Sequence, residues 1–132
     1  MDKSIYDDLK VKYPELVGKG RFGGFAVGDG WYDIIDTLCG MITHRINQHN
    51  EDVAYRKAKI ADGSKTEADY AGELMEEWKM PRIQQVKEKF GSLRFYIITT
   101  DKRIQAWVNF AECLSTKVCE ECGAPGELRH GG

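Results

Sequence analysis

Val86-Lys87-Glu88-Lys89-Phe90-Gly91-Ser92-Leu93-Arg94-Phe95-Tyr96 is the stretch from which the fold is read. Apolar and charged side chains alternate around Gly91-Ser92, and glycine at a first central position suits a two-residue hairpin turn. The pattern predicts a β-hairpin over 83–98 in which Phe90 faces Leu93, Glu88 faces Phe95 and Val86 faces Ile97. The reverse side then pairs Lys89 with Arg94 and Lys87 with Tyr96. One face is apolar apart from Glu88, and the other is cationic and carries an aromatic ring.

Helical periodicity surrounds this ribbon. Ser4 opens a short helix whose Ile5, Leu9, Tyr13 and Leu16 recur at helical spacing, with Pro14 ending or kinking it. Six glycines between Gly18 and Gly30 mark a loop, with Phe22 and Phe25 as anchors into the core. Asp29 is placed to cap a helix from about Trp31 to Asn47, whose apolar stripe is Trp31, Ile34, Ile35, Leu38, Ile42 and Ile46. Residues 47–65 are polar and without a period, and read as a loop or insertion. Ser64 with Glu67, or Thr66 with Asp69, offers a capping box for a further helix burying Ala71, Leu74, Met75 and Trp78, stopped by Pro81. Its other side, with Glu67, Asp69, Glu73, Glu76 and Glu77, would be the most acidic of the molecule. A last helix over about Asp101–Thr116 carries Ile104, Trp107, Val108, Ala111 and Leu114 inward. The expected architecture is a single α+β domain over 1–132, three to four amphipathic helices packed on a β-hairpin, with a cysteine knuckle and tail over 117–132.

Composition narrows the function. The chain has 132 residues, 42% hydrophobic and 30% charged, which excludes disorder. Nineteen basic against 21 acidic residues give a net charge of −2, so any affinity for nucleic acid must be local. No apolar run reaches the roughly 18 residues of a membrane span, and Met1-Asp2-Lys3-Ser4 is unlike a secretory leader. Four cysteines then lead us to expect a reducing, cytoplasmic setting in which paired thiols hold metal.

The sharpest chemical signal is Cys119-Glu120-Glu121-Cys122-Gly123. Two thiolates two residues apart, followed by glycine, can point both sulfurs at one zinc ion. A tetrahedral site needs four ligands, for which His130 and Cys113 are the candidates; inert thiols or a redox dithiol are the alternatives. Gly18-Lys19-Gly20-Arg21-Phe22-Gly23 matches G-x-G-x-x-G, but the catalytic strings of a kinase are missing and the pattern reads as a loop. Lys87, Lys89, Arg94 and Tyr96 form a candidate binding surface for phosphates, bases or acidic side chains, although a solvated hairpin face would carry the same residues. Glu88 needs a cationic partner or a pocket edge. Asp33 and Asp36 share a helix face, with His44 further along, and the simpler reading of the two carboxylates is complementation of the helix dipole.

Three strings carry a family resemblance: Gly28-Asp29-Gly30-Trp31-Tyr32-Asp33-Ile34-Ile35-Asp36, the hairpin string itself, and Ala111-Glu112-Cys113-Leu114-Ser115 leading to Cys119-Glu120-Glu121-Cys122-Gly123-Ala124-Pro125-Gly126. Together they resemble a group of small uncharacterised proteins of phages, prophages and bacteria. The likeness covers residues 28–46 and 82–129, leaving 47–80 outside. In that group a tryptophan and a second cysteine pair follow the Pro-Gly tail. The resemblance therefore implies one half of a zinc ribbon, with two outcomes open: either the metal has been lost, or His130 and another residue replace the missing pair. It implies no catalytic residues. It does imply a phage-type accessory protein that binds a host or phage protein in the host cytoplasm, in some cases blunting a host defence component. Two other expectations stand beside that one: a nucleic-acid binder using the basic hairpin face, and an enzyme gathering Asp33, Asp36, His44 and Glu88.

Overall fold

The computed structural model describes residues 3–18 and 25–125. In chain order these form helices α1 (Lys3–Lys12) and α2 (Pro14–Val17), the long helix α3 (Tyr32–Ala61), strands β1 (Arg82–Lys89) and β2 (Ser92–Ile98), and helix α4 (Lys102–Ser115). This is the small α+β arrangement expected. Pro14 opens α2 rather than merely ending α1, because a first helical position has no amide bond to lose.

The two strands pair antiparallel, but in a register different from the expected one. Lys89 faces Ser92, Glu88 faces Leu93, Lys87 faces Arg94, Val86 faces Phe95 and Gln85 faces Tyr96. The turn is Phe90-Gly91, with φ of +54° and +81°. Two consecutive left-handed residues make a type I′ turn, whose twist matches that of the strands. Gly91 serves the second central position, and Phe90 is at the tip, 91% exposed, rather than against Leu93. Because both flanks of the turn move together, each partner shifts by two residues and the alternation of faces survives. Val86, Leu93 and Phe95 are buried on one face, while Lys87, Lys89, Arg94 and Tyr96 share the other. An irregularity between Ile83 and Gln85 inserts Gln84, so that Ile83 also turns inward and is fully buried.

Both edges of this two-stranded ribbon are covered. On the β1 edge, Ala26 donates to the Val86 carbonyl at 2.9 Å and accepts from the Glu88 amide at 3.2 Å. On the β2 edge, the Leu93 amide donates to Ser115 Oγ at 2.8 Å and the Phe95 amide to Glu112 Oε2 at 2.9 Å. These side chains of α4 satisfy edge groups that would otherwise invite another strand. Inside lies one cluster of buried side chains, drawn from α1, α2, α3, the hairpin and α4.

Helix α3 departs most from expectation. It does not stop near Asn47 but runs 30 residues, about 45 Å at the usual rise. Positions 49 and 50 hide the continuation, since the stripe meets polar residues there. Their partners explain it. The His49 ring stacks on Trp78 with centroids 3.6 Å apart, and Asn50 exchanges two hydrogen bonds with the Trp78 backbone, at 2.8 and 3.0 Å. Seven residues beyond Ile46, Val53 is fully buried. Arg56 then donates to the Leu74 carbonyl and pairs with Glu73. Residues 71–81 are therefore an irregular strap along α3, not the expected acidic helix. The Thr66–Asp69 capping box does form, but only over a 3₁₀ turn, Glu67–Tyr70. Leu74, expected in the core, is 58% exposed.

Candidate functional site

The first and third strings of the sequence reading meet in space. Gly28 leads into a 3₁₀ turn, Asp29–Trp31, that precedes α3. Asp29 makes no side-chain cap; the backbone turn itself starts the helix. Against this turn lies the segment 118–125. The Gly30 amide donates to the Glu120 carbonyl, the Gly28 amide to Glu120 Oε2 at 2.7 Å, and Trp31 Nε1 to the Val118 carbonyl at 3.0 Å. A Cβ on Gly30 would overlap the Cys119 carbonyl oxygen and come within 2.5 Å of both the Glu120 oxygen and the Gly123 nitrogen. Here glycine is required by contact between backbones. Burial pushes the Glu120 carboxyl above its ordinary range, although the Gly28 amide opposes that.

This docking shapes the turn at Cys119. Gly123, with φ of +80°, donates to the Cys119 carbonyl at 2.8 Å, and the Cys119 amide donates to the Ala124 carbonyl at 2.7 Å. The backbone amide of Cys122, then its thiol, then the amide of Glu121 hydrogen-bond to the Cys119 sulfur and hold its thiol below the usual range. Both cysteines are free thiols. Cys113 is also free and exposed on the last turn of α4, and among the described residues no three His, Cys, Asp or Glu side chains gather as a metal-binding group. Cys113 thus does not stand with the pair. His130 lies outside the described residues, as does Phe22, and most of the Gly18–Gly23 loop. Cys39 is buried in α3, which pushes its thiol up.

The outer hairpin face keeps its four expected residues together. Lys87 Nζ lies 6.0 Å from the Tyr96 ring centroid, and Lys89 Nζ lies 5.7 Å from that of Phe90. Sequence reasoning missed Phe90 here, because the expected turn placed it inside.

The four residues of the enzyme expectation are not brought together in one site. Asp36 accepts from Lys12 Nζ and from the Tyr13 hydroxyl, both at 2.8 Å. Burial alone would push this carboxyl up, but those bonds outweigh it and hold it below the ordinary value. Burial and the same bond push the Tyr13 hydroxyl up to about 12. With Tyr32 donating to Asp8 nearby, this network latches α1 onto α3. Among the described residues Glu88 has no cationic partner; its carboxylate accepts the Gly91 amide at 2.7 Å and closes the turn. His44 is exposed on α3. A hollow of about 650 Å³ between the strap and 98–101 contains Asp101, already engaged with the α4 N-terminus and Arg45.

A second surface emerges between α3 and α4. Leu114 and Trp107, expected in the core, are respectively 39% exposed and half-buried, and Phe110 is 68% exposed. With Ile34, Leu38 and Met41 they line an open groove of about 290 Å³ whose rim carries Asp33 and Thr37. No described helix is long and apolar enough to cross a membrane. Comparison of the chain with protein-family models, with curated proteins and with solved structures returned no match.

Proposed function

We propose that this chain is an accessory protein of phage type that acts as a non-enzymatic module by binding a protein of the host or the phage, a host defence component being one such target. The α3–α4 groove carries the reading. Its lining is almost wholly apolar, it opens to solvent, and Met41, Phe110 and Leu114 are exposed along it. A hollow of about 290 Å³ suits one or two apolar side chains of a partner helix better than a cofactor. Aromatic anchors in such grooves are where binding energy concentrates.

Crosslinking pull-downs from host lysate test this with wild type and Phe110→Asp, a substitution at an exposed site that leaves the core intact. A partner captured by wild type and lost from the variant, with unchanged melting temperature, supports the reading. Equal capture by both proteins, or none by either, rejects it.

Zinc belongs to the same proposal. The thiol pair of Cys119 and Cys122, with amides directed at one sulfur, fits the donor chemistry of a zinc–thiolate site. The remaining ligands would come from beyond the described residues, His130 among them. Bound there, zinc would tie the tail to the Gly28–Trp31 turn as a structural ion. Metal analysis of the purified protein, before and after Cys122→Ser, decides this.

A further inference from the structure

We propose that the tip and outer face of the hairpin form a separate binding site for single-stranded nucleic acid, with bases stacking on Phe90 and Tyr96 and phosphates held by Lys87, Lys89 and Arg94. Two features of the ribbon disfavour its own folding, and both lie here. Phe90 adopts a left-handed φ of +54°, a conformation awkward for a bulky side chain and natural for asparagine, yet its ring gains almost no burial, being 91% exposed. Lys87 and Arg94 sit directly across the strands, a like-charge pairing that opposes sheet formation, and neither belongs to an ion pair among the described residues. Glu88 offers them no relief, since it belongs to the opposite face and holds the Gly91 amide. Strain at an exposed tip, with two opposed cations beside it, is the mark of a surface shaped for something outside the chain.

The ligand class follows from what alternates there. Ser92, Arg94 and Tyr96 project to one side of β2, and Tyr96 stands about 14 Å along the strand from Ser92, beside the tip. Two exposed rings thus bracket a short row of cations. Lysine ammonium groups already rest over both rings, at 5.7 and 6.0 Å, and can move to a phosphate when a base takes the ring face. A duplex keeps its base faces covered, whereas a single strand presents them. An acidic peptide would use the cations and leave the rings idle.

The experiment is fluorescence anisotropy of the intact chain with a labelled oligo-dT of about twelve nucleotides at low ionic strength. Binding should weaken with salt on a log–log slope of about −2 for three phosphate contacts, and Lys87→Ala or Arg94→Ala should each flatten it by about 0.7. Phe90→Asn is the discriminating variant, because it preserves charge and suits the turn. It should weaken binding about tenfold, the effect of one stacked base, while the melting temperature holds or rises. The proposal is overturned by absence of binding at low salt, by Phe90→Asn binding as wild type does, or by competition in which duplex DNA or polyglutamate displaces oligo-dT as well as unlabelled oligo-dT does.

Discussion

The turn at Gly28–Trp31 and the turn at Phe90-Gly91 both depend on glycine, for opposite reasons. Gly30 has no left-handed torsion; what it lacks is room, since the backbone of Cys119–Gly123 fills the space a side chain would need. Gly91 has nothing within 4 Å of where a Cβ would go, but its φ of +81° penalises any side chain. The first turn is specified by a contact 90 residues distant, the second by two residues of local chain. A backbone docked on a backbone tolerates no added atom. A free-standing turn tolerates any residue that accepts the torsion.

That contrast can be broken or sharpened by substitution. Gly30→Ala should be the most damaging, lowering stability by about 3 kcal/mol or more in urea unfolding, because carbonyls and an amide must separate to admit the methyl group. A small effect would mean that the two segments do not dock. Ser115→Ala tests the hairpin's anchorage rather than its tip. Losing the fully buried hydroxyl leaves the Leu93 amide unpaired and should cost about 2 kcal/mol. At the tip, Gly91→Ala should cost about 1 kcal/mol, the torsional penalty alone, with no loss of packing. Phe90→Asn should reverse the sign, stabilising by about 0.5 kcal/mol as strain is relieved, and thermal unfolding will register it as a small rise in melting temperature.

The smallest effect belongs to pH. Glu120 has a carboxyl raised above its ordinary 4.5 by burial, so folding favours its protonated form. Its stabilising contribution is complete below the unfolded value of 4.5 and is lost as pH rises through the higher folded value. Comparing Glu120→Gln with wild type across that window should reveal a small stability difference that grows with pH and vanishes towards acid pH. A pH-independent difference would place Glu120 in solvent.

Local patterns explain which elements were legible. The apolar stripe from Trp31 to Ile46 and that from Ile104 to Ala111 declare helices, and alternation about Gly91 declares a ribbon with one greasy and one cationic face. The face assignment survived a misplaced turn because a two-residue shift preserves alternation. The far half of α3 was illegible, because His49 and Asn50 look solvent-facing until Trp78 is laid against them. So was the role of Glu112 and Ser115, ordinary helix residues whose oxygens complete a sheet edge. The α3–α4 groove was hidden for the same reason: Trp107 and Leu114 fit a core stripe by periodicity, and only the placement of α4 against α3 leaves them partly uncovered. Of the site residues, Lys87, Lys89, Arg94 and Tyr96 could be grouped from alternation alone, whereas Phe90 could not, its position depending on which two residues form the turn.

The order of apolar and charged residues determined by itself that this chain makes amphipathic helices and a two-faced hairpin, because periodicities of 3.6 and 2 are properties of neighbouring residues. Tertiary structure alone decided that Gly30 meets Cys119, that Ser115 seals β2 and that Phe110 borders an open groove. Those outcomes depend on which surfaces come to lie within contact distance, and no short window of sequence contains that distance.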